Sequence, residues 1–534
     1  MSDGKFSIPR ESIPANWSIC RVEDVGTVQL GRQRSPKDHN GPNMRPYLRA
    51  ANVFEDCIDT SDVKEMNFTP EEFENFRLRE GDILLNEGQS LELVGRPAMF
   101  RGEVADCCFQ NTLVRFVPAS VLDGRFALKL FQHYMRNGRF QKIARWTTNI
   151  AHLGASRFAE LEIPLPPLAE QKRIVAKIEE LFSELEAGEE SLRVARRQLG
   201  VYRQSLLKQA FEGKLTEKWR TKNRTKLEPT EQLLARILAL RQSGWTGRGT
   251  YSDPAQFADG VFEQLPKDWR MLSLEAATSA ARPICYGILM PKENVANGVL
   301  YVKVRDMKGD RIELSGLQRT SPEIAAQYAR ASLREGDLLL SIRGTYGRIA
   351  VIPKELEGGN ITQDSARLAV SPLLNRDFVR WAIRSQQIQH YFKRVARGVA
   401  VKGVNIGDVR PTPIPLPPLP EQQEIVRLLD EQFEVIERNE REIDAALQRS
   451  EALRQAILKK AFTGRLVPQF PADEPAVTLL ARLRAERSGT SSSSSSRSRS
   501  SSSSSSSTTS SRSSSSSIAS SSRLRRHRAS AEQA

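Results

Sequence analysis

The sequence predicts an α+β chain. Two α/β units alternate with two long helices, the helices pair as an antiparallel coiled coil about a pseudo-two-fold axis, and a disordered tail follows. Three observations point there. The chain repeats itself directly: "IPLPPLAEQKRIVAKIEELF" from Ile163 is written again as "IPLPPLPEQQEIVRLLDEQF" from Ile414. Each copy carries apolar residues at heptad spacing. From Ser488 onward the chain is almost pure serine with scattered arginine. Two long copies fit a duplicated module rather than a solenoid, which needs three or more short repeats.

The match is ungapped from Ile163–Leu215 to Ile414–Leu466, ending in "KQAFEGKL" and "KKAFTGRL". A weaker echo follows in "EPTEQLLARILALR" from Glu228 and "EPAVTLLARLRAER" from Glu474. Upstream, "IPANW" answers "LPKDW", and "LREGDILL" answers "LREGDLLL". The predicted order is a variable unit over 1–160, a long-helix region over 161–259, a second variable unit over 260–411, a second long-helix region over 412–487, and the tail over 488–534. Pro420 suits a first helical turn, where its missing N–H costs nothing. Gly213 and Gly464 suit the position just past a helix end. The first seam reads Ile174, Ile178, Leu181, Leu185, Leu192, Leu199 and Leu206, with Gly188, Ala195 and Tyr202 completing the spacing. The second reads Ile425, Leu429, Ile436, Ile443, Leu453 and Ile457, with Ala446. So narrow a seam needs a partner helix. A dimer of chains would supply one, but two helices of one length and one cap pattern suit each other within the chain. In the variable units, "GDILLNEG" and "GDLLLSIRG" read as strands entered by a turn. "RFALKLFQHYMRNGRFQKIAR" and "RDFVRWAIRSQQIQHYFKRVAR" each read as an amphipathic helix with a basic end. The tail cannot bury apolar surface and is expected to be disordered.

The chain has 534 residues and a formal net charge of +15. The tail holds seven Arg against one Glu, so a net +9 remains in the folded part, a balance that favours a polyanionic partner, most often nucleic acid. Five cysteines without a CxxC pair fit a reduced, cytoplasmic protein with no disulfide framework. The start has no apolar signal region, and no apolar run is long enough to cross a membrane. The sequence has no phosphate-binding loop, HExxH, GxSxG, strand-linked GxGxxG or clustered metal-ligand spacing. A non-catalytic binding protein with no metal and no cofactor of its own is therefore expected.

Polar, basic loops are the remaining candidates for function. The first variable unit offers Arg32, Arg34, Lys37 and Arg45, then Thr147, Thr148, Asn149 and His152. The second offers Arg343, Thr345, Tyr346 and Arg348, then Lys393, Arg394, Arg397, Lys402 and Asn405. Arginine and lysine pair with phosphates or guanine edges, and asparagine and threonine can read bases. Both units place such loops at matching positions.

The doubled "IPLPPLxEQ" helix head, the "EGKL/TGRL" helix ends, and the paired "LREGD" and "PANW/PKDW" segments resemble the specificity subunit of Type I restriction–modification systems. The resemblance runs to about Arg487 and excludes the tail. It implies that each variable unit is a target recognition domain reading half of an asymmetric bipartite target in double-stranded DNA. It implies that the helices act as a ruler on which modification (methyltransferase) subunits dock, joined by restriction/motor subunits. S-adenosylmethionine, ATP and magnesium are then expected on those partners. Two other readings of the residues stand beside it: a coiled-coil scaffold that binds DNA without reading sequence, and a single-chain enzyme joining recognition to a nuclease or methyltransferase.

Overall fold

A computed structural model describes residues 8–147, 149–247, 249–399 and 401–494, with side chains as far as residue 488. The described residues fall into two compact units, one within Met1–Lys177 and Leu458–Ala534 and the other within Ile178–Ile457. Each is built on one plan.

In the first unit an antiparallel four-stranded sheet runs in the order Gly26–Leu30, Leu113–Pro118, Ile83–Asn86, Pro97–Met99. In the second the order is Cys285–Tyr286, Ser365–Leu368, Leu338–Ser341, Ile349–Val351. A mixed three-stranded sheet accompanies each. Met44–Leu48 lies between Cys108–Phe109 and Lys64–Asn67 in one, and Val299–Val302 lies between Asn360–Ile361 and Gln318–Thr320 in the other. The "GDILL" and "GDLLL" segments are central, fully buried strands. Their turn is the same in both. Asp82 Oδ2 accepts from the Arg79 amide at 3.0 Å, and Asp337 Oδ2 accepts from the Arg334 amide at 2.8 Å. Gly81 and Gly336 take φ of 93° and 83°, where a side chain is strained. The motif is a buried acid closing a tight turn.

The segments expected as single amphipathic helices are each broken in two. Gly124–Arg136 gives way to Arg139–Ile143 at Gly138, whose φ is 77°. Arg376–Arg384 gives way to Gln386–Val395 at Ser385, whose backbone is extended. Helical periodicity survives such a break, because both halves keep their apolar face on one core. Phe126, Phe131 and Phe140 are buried in the first unit, and Phe378, Trp381, Ile388 and Phe392 in the second.

The proline-rich heads divide into strand and helix. Glu162–Leu165 pairs with Ser18–Arg21, and Pro413–Leu416 pairs with Arg270–Ser273. Each is a two-stranded edge where a proline breaks no ladder. The helices Leu168–Phe211 and Leu419–Phe462 then begin, each of 44 residues, or about 66 Å at 1.5 Å per residue.

The glutamate of each "EQ" pair is fully buried and grips segments from elsewhere in the repeat. In the second unit, Glu421 Oε1 accepts from Thr216 Oγ1 at 2.7 Å and from Arg220 Nε at 2.8 Å, while Oε2 accepts from Trp269 Nε1 at 3.0 Å. In the first, Glu170 accepts from Gln469 Nε2 at 2.5 Å, and burial pushes its carboxyl up, opposed by Gln469 and Trp17. The glycine past each helix end meets the proline of the matching "IPANW/LPKDW" segment. Gly464 has φ of 69° and Gly213 of 71°, and a Cβ there would lie 2.2 Å from Pro14 or 2.3 Å from Pro266. The glutamines do a second job. Gln171 accepts from the Asp123 amide at 2.7 Å and Gln422 from the Asn375 amide at 2.9 Å, holding the residues that cap the domain helices.

Within the second unit the two long helices run antiparallel, as expected. Tyr202 donates to Gln432 at 3.1 Å, Arg203 to Glu440 at 3.0 Å, Arg196 to Asp444 at 2.8 Å, and Ser450 to Glu189 at 2.7 Å, numbers rising on one helix as they fall on the other. Ile178, Leu206, Ile425, Leu429, Ile436 and Ile443 are buried, as is Ile174 in the first unit. Leu181, Leu185, Leu192, Leu199 and Ile457 are half-buried. Leu453 departs from the expected seam, since it is 52% exposed. Beside it Arg454 takes the inward place, reaching Glu189 at 3.3 Å and lying over the Phe182 ring at 5.0 Å. Ionic and cation–π contacts replace leucine there. The "LLAR" echo forms helices Thr230–Ser243 and Ala476–Ser494. The second continues six residues past Ser488, where disorder was expected to begin, and the remainder of the tail lies outside the described residues.

Two substitutions test this frame. Ile436→Asp buries an unpaired carboxylate, which costs several kcal/mol, whereas Leu453→Asp places its charge in water. Thermal melts should show a large drop for the first and little change for the second. Glu421→Ala strands a buried arginine, threonine and indole, for a loss of about 3–5 kcal/mol. Glu170→Ala removes a pairing with a neutral amide and should cost about 1–2 kcal/mol. Limited proteolysis around Trp269 and Trp17 reads out the difference.

Candidate nucleic-acid interface

In each unit one set of backbone bonds gathers four segments at one end of the sheets. In the first, the Asn111 amide donates to Arg32 O at 3.0 Å, the Glu87 amide to Thr112 O at 2.9 Å, and the Leu153 amide to Glu87 O at 2.7 Å. In the second, the Gln363 amide donates to Ile288 O at 2.9 Å, the Ile342 amide to Asp364 O at 2.8 Å, and the Val404 amide to Ile342 O at 2.8 Å. The loops after Arg32 and Ile288, the turns at Asn111 and Gln363, the loops after Glu87 and Ile342, and one hairpin thus converge in each domain. In the first the hairpin pairs Arg145 with His152 and Trp146 with Ala151, and His152 lies beside Gly88. In the second, Gly403 bridges both Arg397 and Arg343.

This scaffold sorts the residues singled out from the sequence. Thr147, Asn149 and His152 come together on the first hairpin. Thr147 closes its turn by donating from N to Ile150 O at 2.9 Å, and His152 Nδ1 lies 3.0 Å from Glu87 Oε2. Thr148 lies outside the described residues. Arg34 and Lys37 are exposed on the neighbouring loop. Arg32 does not join them. Its side chain is 12% exposed, bonded to Glu72 at 2.8 Å and Asp38 at 3.1 Å and laid over Phe68. The acids that follow it in sequence claim it as a fold contact. Arg45 is half-exposed over Phe73, with Asp106 at 3.8 Å.

In the second domain Arg343, Thr345, Arg397 and Lys402 gather, with the Gly344 amide donating to Lys402 O at 3.0 Å. Arg348 is exposed and donates to Met307 O at 3.2 Å. Tyr346 instead packs against the hydrophobic core, an aromatic ring flanked by glycine finding apolar neighbours first. Lys393 and Arg394 stand on the helix leading into the hairpin, where Arg394 lines a cavity with Lys208, Glu212 and His390. Asn405 is exposed and caps the Ile406–Val409 turn through its carbonyl.

The sequence reading passed over Asn111 and Gln363, which sit at equivalent turns in the middle of each loop set. Neither side chain bonds to protein among the described residues. The signal was an amide at the same place in both halves, "FQNTLV" and "ITQDSA", ahead of the strand that pairs with "GDILL" or "GDLLL". Among the described residues no cluster of His, Cys, Asp and Glu could hold a metal ion, and no helix is long and apolar enough to cross a membrane.

A duplicated polar, basic loop set on a constant frame is the design of a sequence-reading DNA-binding protein. The family model for the Type I restriction modification DNA specificity domain matches twice, over residues 14–193 and 292–449, more than half of the chain, and the chain belongs to that family. It is a specificity subunit of the Type I restriction–modification kind, a recognition component and not the catalyst. It is similar to the Type I restriction enzyme EcoBI specificity subunit of Escherichia coli, at 27% identity over 493 residues covering 90% of this chain and 94% of that one. It is also similar to the EcoKI specificity subunit of Escherichia coli strain K12, at 24% over 499 residues, covering 90% and 97%. A solved structure from work on assembly and conformational transition of the type I R-M system shares the fold, with a TM-score of 0.61 at 20% identity, covering 85% of this chain and 99% of that one.

The two arginine environments predict different defects. Arg343→Ala should weaken DNA binding and lower the slope of log affinity against log salt by about 1, the change expected for one lost phosphate contact. Arg32→Ala should instead lower the melting temperature of the first domain. Salt titration of DNA binding and thermal denaturation separate them.

Proposed function

We propose that each α/β domain reads one half of a bipartite, asymmetric DNA target, and that the paired long helices set the gap and dock the modification subunits. The observation that carries this is the pair of convergent loop sets: one set of backbone bonds in both domains, different side chains in each. A symmetric target would need equal side chains. Here the first set presents Thr147, Asn149 and His152, and the second presents Arg343, Arg397 and Lys402. Methyl transfer and strand cleavage then belong to partner subunits carrying S-adenosylmethionine, ATP and magnesium. The site of action is the cytoplasm, where the DNA is.

Two altered chains test the division of labour, both read by methylome sequencing of cells that also carry the modification subunit. Exchanging residues 260–411 for the equivalent domain of another specificity subunit should change one half-site and keep the other. Adding one heptad after Glu190 and one after Ser450 lengthens both helices by about 10 Å, close to three base pairs at 3.4 Å each. The gap should widen with both half-sites intact. Four residues placed after Lys218 would act differently, because Lys218 lies in the short helix Glu217–Asn223, two residues before the Arg220 that grips Glu421. A swap that alters both half-sites overturns independent reading, and binding indifferent to sequence favours the scaffold alternative.

A further inference from the structure

Each hairpin carries exposed apolar side chains at or beside its tip, among basic residues. Trp146 is 58% and Ile150 45% exposed in the first, and Val401 is 63% and Val399 wholly exposed in the second. In the second domain Gly398 takes φ of 114°, and a Cβ there would lie 2.3 Å from Val401 O, so a glycine is needed to close the turn. The Arg397 amide and Gly403 O lie 2.8 Å apart, and the reciprocal bond spans 2.9 Å. In the first domain Thr147 holds Ile150 O through both N and Oγ1, at 2.9 and 3.1 Å. Two equivalent turns therefore hold apolar groups out into water, where single exposed apolar residues are common but a matched pair at corresponding positions is a pattern.

The surroundings select the occupant. Arg343, Arg397 and Lys402 are exposed around the second tip, and Arg145 is exposed at the base of the first. Two of the acids nearby are engaged, Glu87 by His152 at 3.0 Å and Asp408 by Arg397 at 3.8 Å, and Asp364, whose carbonyl accepts from the Arg343 amide, stands beside the second tip as well. A ring of cations around an apolar point fits a polyanion with an apolar feature inside it. A two-stranded ribbon fits the major groove of duplex DNA, and the apolar group displayed on the major-groove base edges is the thymine C5-methyl.

We infer that the hairpin tips enter the major groove and that Val399 and Val401 read thymine methyl groups in the half-site of the second domain. Arg343, Arg397 and Lys402 take the flanking phosphates. Trp146 and Ile150 hold the corresponding place for the first domain. The inference rests on the half-site reading above.

The test uses the full complex with its modification subunits and a duplex carrying the target found by methylome sequencing. Each thymine in turn is replaced by deoxyuridine, which removes only the methyl group. Wild-type complex should bind about fourfold more weakly at one or more thymines of the second domain's half-site, the loss expected for one buried CH2-sized group. The Val399→Ser, Val401→Ser complex should bind thymine and deoxyuridine duplexes alike there, and should keep its discrimination at the other half-site, which shows that the frame is intact. Wild-type complex that prefers its target but ignores every methyl in that half-site overturns the tip inference alone. The same holds if the double variant keeps the wild-type methyl sensitivity. Wild-type complex that binds target and scrambled duplexes equally overturns the half-site reading beneath it.

Discussion

A carboxylate sealed from water at the start of each long helix holds the rest in place. Glu421 has no solvent and three donors: Thr216 at the start of the short helix that follows the first long helix, Arg220 within that short helix, and Trp269 at the opening of the second domain. A buried charge is tolerable only when fully paired, so these stretches cannot drift apart without exposing it. Glu170 closes the same arrangement with a neutral amide, and burial pushes its carboxyl up. The glutamine that follows each glutamate extends the grip into the domain by fixing the residue that caps its first large helix.

On that frame the variable parts are free to vary. The loops that converge in each domain are joined by backbone amides and carbonyls, which every non-proline residue supplies. Side chains there can change without altering where the loops lie. The polar and basic side chains on these loops differ between the halves for this reason, while the strands beneath keep one order.

Much of this was legible in the sequence because its devices are local. The "LREGD" turn, the glycine past each helix and the proline-led helix start are short, rigid solutions that read the same wherever they occur. The antiparallel pairing also followed from the match in length and caps. The seam was less legible at Leu453, where heptad spacing points to leucine but the neighbouring Arg454 finds a carboxylate and an aromatic ring across the interface. Arg32 and Tyr346 misled for a related reason. Residue type suggests what a side chain can do, and its partners forty residues away in sequence decide whether it is free to do it. Asn111 and Gln363 escaped notice because a search led by positive charge passes over amides.

The first domain is assembled from two distant parts of the chain: among the described residues, 8–177 and 458–494 lie in one compact unit, whereas the other falls within Ile178–Ile457. A ribosome delivers these parts in order. The uninterrupted unit has all its pieces once Ile457 has emerged. The first unit must wait, with Trp17 and Glu170 uncovered, until Gly464 and Gln469 arrive to close it. The half made first is finished last, and a chain cut short near its end keeps one reader whole while leaving the other permanently ajar.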